Sequence, residues 1–185
     1  IDIWCPHVAD FSEDKAEREK LKGKEVWWYV SSQRAGIPGF NIDISVVDNR
    51  ILFWMNWKYK IAGVLYWCVN RWPHNPWDDA MIYRNQNGNG SLLYPGKNGP
   101  VDSIRLEAIR DGIEDYEYFY LLNGYKEVLK EKNARSPHIK AIEKLLAIEE
   151  DIILSPSSYT QDQTKLLKKR EEVARKIEQV RKLLQ

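Results

Sequence analysis

Within its first 72 residues the chain passes twice from a short apolar run into a long helical segment and back, and this alternation sets the fold. IDIWCP (1–6), EVWWYVSS (25–32) and IAGVLYWCVNRW (61–72) read as β-strands rich in β-branched and aromatic residues. Between the first two lies DFSEDKAEREKLKGK (10–24), charged and helical, with Ser12 placed to cap it. After the second strand, QRAGIPGFNID (33–43) carries the Gly and Pro that stop regular structure. Residues 44–58 then put Ile44, Val47, Ile51, Trp54 or Met55, and Lys58 on one helical stripe. The order strand, helix, strand, helix, strand, with crossovers this long, is that of right-handed βαβ units with parallel strands. IAGVLYWCVN is continuously apolar, which suits a strand buried on both faces. The fold class is therefore α/β.

Beyond residue 72 the pattern changes. Residues 71–100 form a long loop rich in Gly, Asn and Pro, with SLLYP as a short extended piece; loops this long in a compact domain are usually functional. Residues 101–125 predict a helix, capped by Asp102 or Ser103, with Leu106, Ile109, Ile113, Tyr116 and Tyr120 at helical spacing and Asn123-Gly124 at its end. Gly112 inside it costs about 1 kcal/mol against Ala, which points to close packing there. Two further helices are expected near 125–132 and 137–149. SPSSYTQDQ (155–163) then leads into a last helix over 163–184, whose seam of Leu166, Val173, Ile177, Val180 and Leu184, interrupted by Arg170, is expected to pack onto the domain. These elements divide the chain into an α/β part, 1–125, and a helical extension, 126–185.

All eight tryptophans lie in the first 77 residues, and three clusters of them sit at the ends of the three strands. A single tryptophan there is ordinary core. Three clusters beside Asn, Ser and Asp point to a carbohydrate site, where indole covers the apolar face of a pyranose and polar neighbours bind its hydroxyls. Charge supports no rival class of ligand: 28 basic residues stand against 27 acidic, so no field draws the chain to nucleic acid or anionic lipid. No apolar stretch approaches the roughly 20 residues a membrane span needs. The N terminus shows no signal-peptide pattern, and the chain opens without Met inside a strand, as a processed or excised piece would. Cys5 and Cys68 fall on different strands; a disulfide is open to them, and two buried free thiols are expected.

Several chemistries are excluded. The sequence has no glycine-rich phosphate loop, no nucleophile elbow and no Cys/His cluster at metal spacing, so neither a cofactor nor a metal is expected. His7, His74 and His138 are scattered; His7 and His74 follow strand ends and read as loop histidines, though either could bond a ligand. Arg105, Glu107, Arg110, Asp111, Glu114 and Asp115 read as a salt-bridge lattice, and Glu149-Glu150-Asp151 as a solvated face. Asp78-Asp79 is either a sugar ligand or a solvated turn.

The strings EVWWYVSSQ, GVLYWCVNRW, NPWDD, NGNGSLLYPG and above all SIRLEAIRDGIEDYEYFYLL resemble the C-terminal part of the catalytic domains of glycoside hydrolase family 123. The resemblance covers about residues 1–122. Its most specific part is 88–122, where Tyr94-Pro95-Gly96 precedes the Arg-Asp-Gly-Ile-Glu-Asp-Tyr-Glu run. It implies a (β/α)8 TIM-type barrel that cleaves β-linked N-acetylgalactosamine from glycans or glycolipids by a substrate-assisted, retaining mechanism. The adjacent Asp-Glu that the family uses is missing, since no Asp-Glu dipeptide occurs in the chain. The implied catalytic acids therefore lie upstream, no catalytic residue is assigned here, and the chain reads as a fragment carrying about three βα units.

In such a barrel, ligands sit at the C-terminal ends of the strands. That rule selects Trp4 and Pro6, then Trp28, Tyr29 and Ser31, then Trp67, Asn70 and Trp72. Side chains alternate along a strand, so Trp27 and Trp28 cannot both face the site. Trp28 is favoured, with Val26 and Val30 lining the interior; the reverse choice turns Trp27 and Tyr29 inward. Rival functions are a carbohydrate-binding module without catalysis and a structural or interaction domain whose tryptophans are core. Three strands cut from a barrel leave two open edges, so self-association through them is expected.

Overall fold

The computed structural model describes residues 2–133 and 135–184. Strands β1 (Ile3–Trp4), β2 (Glu25–Val30) and β3 (Gly63–Tyr66) pair in that order, and both pairings are parallel. Helices α1 (Glu13–Leu21) and α2 (Val46–Tyr59) are the crossovers. Ser12 caps α1, its hydroxyl accepting from the N–H of Lys15, and Ser45 caps α2 through the N–H of Val47. β3 is shorter than expected. Beyond Tyr66 the chain leaves the sheet, and its backbone finds partners in the long loop: Arg71 N–H donates to Gly90 O (2.8 Å), while Leu92 and Leu93 N–H donate to Val69 O (2.8 and 2.9 Å). Nor is β3 buried on both faces, for Leu65 is 48% exposed.

The loop itself holds two small antiparallel hairpins, β4 (Met81–Tyr83) with β5 (Gln86–Asn87), and β6 (Leu93–Gly96) with β7 (Gly99–Asp102). Helix α3 (Ile104–Lys132) follows, capped by Ser103. It runs through Asn123-Gly124, the expected stop, and takes in the helix expected at 125–132. Leu122 and Leu129, seven residues apart on one face, are both buried. Burying a leucine gives about 1.5–3 kcal/mol, more than the roughly 1 kcal/mol a helical glycine costs. Helix α4 (Pro137–Leu146), the hairpin β8 (Ile153–Ser155) with β9 (Ser158–Tyr159), and α5 (Gln163–Leu184) complete the chain. In the seam of α5, Leu166, Val173, Ile177 and Val180 are buried in the core that also holds Trp28 and Trp54. Among the described residues, no helix is long and apolar enough to cross a membrane.

Helix α2 is the centre of the molecule. It was expected to bury one stripe, but it is enclosed on both sides. Tyr59 meets Trp28 of the sheet at 6.3 Å between ring centroids, while Trp54 meets Phe119 of α3 edge-on at 5.0 Å. Close approach of α2 and α3 depends on Gly112, where a Cβ would fall 2.6 Å from the Phe53 ring and 2.7 Å from Arg50 O. Most buried polar residues of α2 find a partner, although the buried Oδ1 of Asn56 has none. Asn49 donates to Gly39 O at 2.6 Å, and Asp48 accepts from Tyr159 and Gln161, both at 2.8 Å.

The salt-bridge lattice of α3 centres on Asp115, which is 1% exposed. Its carboxylate accepts a forked pair from Arg50 (2.6 and 3.0 Å) and the indole N–H of Trp54 (2.7 Å), and Arg170 of α5 lies 3.3 Å away. Asp115→Ala is expected to destabilise the fold by about 3–5 kcal/mol in urea unfolding, because it strands the buried Arg50 guanidinium. A loss under about 1 kcal/mol, the scale of a surface pair, would sink this account.

Candidate functional site

The two faces of the parallel sheet differ. Along β2, Val26, Trp28 and Val30 are buried, while Glu25, Trp27 and Tyr29 are not. Register sets Trp4 beside Val26, and Val64 and Tyr66 beside Trp28 and Val30. This is the helix-facing side. Trp28 is fully buried, its ring 5.3 Å from Phe11 and 6.3 Å from Tyr59. The favoured orientation is thus reversed, and Trp28 cannot meet a ligand. Trp4 packs against the same core. Once Trp28 fills the space between sheet and helices, alternation turns Trp27 and Tyr29 to the other, uncovered face. Ile3 and Leu65 share that face with them, and the ring of Trp27 lies over Gly63, where a Cβ would come within 2.5 Å of it.

Tyr29 stands at the C-terminal end of β2, its N–H donating to Pro6 O at 2.8 Å. His7 pairs beside it in a parallel bridge, the rings edge to face at 6.2 Å. Nδ1 of His7 accepts from the N–H of Ala9 at 3.1 Å, so the neutral ring carries its proton on Nε2. Burial first, then the nearby Arg34, hold this histidine below its ordinary pKa of 6.5, with Asp10 pulling the other way. His7 therefore presents a neutral N–H donor next to a phenol, more than the loop histidine its position suggested. Cys5, just after β1, is a half-buried free thiol pushed up by burial; Cys68 is also free.

At the end of β3, Trp67 is half-buried and tilted against Tyr83, with centroids 4.7 Å apart. Its indole N–H donates to the side-chain oxygen of Asn89 at 2.8 Å. Asn89 is fully buried and donates to Gln86 Oε1, which also accepts from Asn41 and the N–H of Gln33, all within 2.9–3.0 Å. Gly90 adopts φ +83°, and a Cβ there would lie 2.4 Å from the Trp67 ring. The Tyr66 hydroxyl accepts from the N–H of Gly90 at 2.6 Å, and burial raises its pKa. Asn70 is exposed and bridges Ser91, and Trp72 is held by its N–H on Leu93 O at 2.9 Å. The structure thus brings Trp67, Asn70 and Trp72 onto one support, residues 86–93, and sets Tyr29 with His7 at the neighbouring strand end. Sequence reasoning missed Tyr83 and Asn89. The signal was the Asn-Gly-Asn-Gly string, whose glycines allow this backbone to lie against Trp67.

Arg105, placed by sequence in the α3 lattice, is instead the anchor of that support. It is 4% exposed and donates to Phe40 O (2.6 Å), Gly88 O (2.9 Å), Ser91 O and the Tyr94 hydroxyl (3.2 Å). Asp78-Asp79 forms a turn: Asp78 accepts from Asn75 at 2.7 Å, and Asp79 accepts from the N–H of Met81 at 2.8 Å and lies 3.4 Å from His74. Two grooves of about 650 and 670 Å³ lie elsewhere, one beside Trp57 and Tyr116 and one between α3 and α5.

Arg105→Lys is expected to cost about 1.5–3 kcal/mol, since an ammonium cannot reach all four oxygens, and to speed amide exchange across 88–93. Unchanged exchange there would remove Arg105 from its role. For His7, an NMR titration is expected to give a midpoint below 6.5. Its depressed pKa means the unfolded chain binds the proton more readily. The stability it contributes is full above pH 6.5 and is lost as pH falls through the folded midpoint. A midpoint at or above 6.5 contradicts this.

The family profile described as glycoside hydrolase 123, catalytic domain, matches residues 2–122. No curated protein matches the chain. Among solved structures it is similar to a family 123 glycoside hydrolase from Clostridium perfringens, whose structural analysis concerned glycolipid glycan hydrolysis. Identity is 16% and the TM-score 0.58, over 99% of this chain and 32% of that one, so the likeness speaks to fold. With well over half of its length matched by the catalytic-domain profile, the chain belongs to glycoside hydrolase family 123.

Proposed function

We propose that residues 2–122 form one wall of a glycoside hydrolase active site, as the C-terminal part of a (β/α)8 barrel whose interior is the uncovered face of β1–β3. The observation that carries this is the placing of Tyr29 and Trp67 at the C-terminal ends of parallel strands covered by helices on one face alone. Such ends are where barrels of this kind hold ligands. Trp67 and Trp72 offer ring faces to the C–H side of a sugar, and Tyr29, His7 and Asn70 offer hydroxyl, N–H and amide groups.

The substrate is a β-linked N-acetylgalactosaminide on a glycan or glycolipid. The sugar's own acetamido oxygen attacks the anomeric carbon, one carboxyl group steadies the resulting cyclic cation, and a second protonates the leaving oxygen; water then opens the ring with overall retention. The chain has no Asp-Glu dipeptide and spans 32% of the similar solved enzyme, so those acids are assigned to sequence upstream. The part played here is binding: His7 and Tyr29 orient the acetamido sugar, and Trp67 fixes its ring plane.

Titration of the chain's tryptophan fluorescence with N-acetylgalactosamine, galactose and N-acetylglucosamine tests this. Saturable quenching by N-acetylgalactosamine alone is expected, abolished by Trp67→Ala. An equal response to galactose, or silence with all three, overturns the assignment.

A further inference from the structure

Trp77 is 58% exposed and Trp72 37%, yet both indoles are held in place. Trp72 donates its N–H to Leu93 O at 2.9 Å, and Trp77 to Pro95 O at 2.8 Å. These carbonyls lie two residues apart on β6, and the register of the hairpin explains why both are free to accept. Pro95 pairs with Pro100, and neither has an N–H, so theirs is a non-hydrogen-bonded pair; Leu93 with Asp102, two residues along, is another. The carbonyls in such pairs point away from the partner strand. Both therefore open onto the outer edge of β6, about 7 Å apart, and each takes one indole. The N–H of Leu93 points the same way and donates to Val69 O.

Trp77 has further support. Its ring lies against Tyr94 at 4.7 Å, and the hydroxyl of Tyr94 accepts from Arg105 at 3.2 Å. Its backbone N–H donates to the side chain of Asn75 at 3.2 Å. An exposed indole with its N–H already bonded to protein has only its ring surface to offer a ligand. Because the ring is held before binding, little rotamer freedom is lost when something stacks on it. In Trp67, Trp72 and Trp77 alike the indole N–H is taken by a protein oxygen, and exposure rises from half-buried to 37% to 58%. A bilayer would call for the opposite polarity, with indole N–H groups turned to the wet headgroup zone. The exposed Asp78 and Asp79 beside Trp77 also repel anionic lipid and suit sugar hydroxyls.

We propose that Trp77, together with Trp72, forms an outer sugar platform on the rim of the site, so that the substrate is an oligosaccharide whose inner residues stack there while the terminal N-acetylgalactosamine lies against Trp67. This extends the function proposed above and depends on it. The platform and all its supports lie within this chain.

The indole N–H signals in ¹⁵N–¹H spectra are followed while adding N-acetylgalactosamine, or a tetrasaccharide ending in β-linked N-acetylgalactosamine. The tetrasaccharide is expected to bind roughly five- to tenfold more tightly, the scale of one aromatic stacking contact. Trp77→Ala is expected to erase that advantage and leave monosaccharide affinity as it was, and Trp77→Phe to restore part of it. Unshifted signals from the remaining seven tryptophans establish that the variant is folded. If the monosaccharide binds and the tetrasaccharide gains nothing, or keeps its gain in Trp77→Ala, the platform is refuted and the proposed function stands. If neither sugar binds, both fall. Co-sedimentation with phosphatidylcholine vesicles that is lost in Trp77→Ala, with sugar affinities unchanged, assigns the rim to a bilayer and also refutes the platform.

Discussion

Arg105 carries a positive charge into the interior, and its bonds run to backbone carbonyls and a phenol. Its fork joins the loop before α2 at Phe40, the glycine turn at Gly88, the turn at Ser91 and the hairpin at Tyr94. A charge taken out of water on such terms is tolerated only while each acceptor stays in place, so the group holds its partners as firmly as they hold it. Gly88 belongs to the same constraint. It sits at φ +67°, and a Cβ there would lie 2.8 Å from the guanidinium. From Gly88 the order passes to Asn89 and Gly90, and so to the edge and N–H of Trp67. A residue at the start of α3 thereby fixes the attitude of a ring at the end of β3.

The order of the first five elements was legible because it rests on local signals: apolar runs, a charged helix and the Ser12 cap. Gly112 announced its close contact, and the last helix was bounded correctly at Gln163–Leu184. The facing of β2 was not legible, since both sides of EVWWYV are apolar and alternation alone cannot choose between them. Phe11 and Tyr59, distant in sequence, decide it by receiving Trp28. Of the hairpins between residues 81 and 102, only the extended piece SLLYP, at β6, was legible. Their strands are two to four residues long and carry Gly, Pro and Asn, which read as loop until a partner strand is known. The run of α3 past Gly124 was missed for a similar reason, because the burial of Leu129 is a tertiary fact that outweighs a local stop signal.

The candidate site shows the same division. Tyr29 and Trp67 stand at strand ends, as counting expects, whereas Asn70 and Trp72 lie beyond the end of β3 and are held by the loop at Ser91 and Leu93. Trp4 and Trp28 were drawn to the wrong face by a question of orientation. His7 was undervalued because its neighbour Tyr29 lies 22 positions further along the chain, joined by the parallel bridge.

The hairpin β6–β7 has a consequence for solubility. A strand edge recruits a foreign chain by offering unmet N–H and C=O groups in alternation. On the outer edge of β6, the carbonyls of Leu93 and Pro95 are covered by indoles, the N–H of Leu93 is taken by Val69, and Pro95 has no N–H at all. This aromatic, exposed edge therefore offers few free groups with which to accrete another polypeptide. The rings that stand out in water also keep that water from being replaced by a neighbour's backbone.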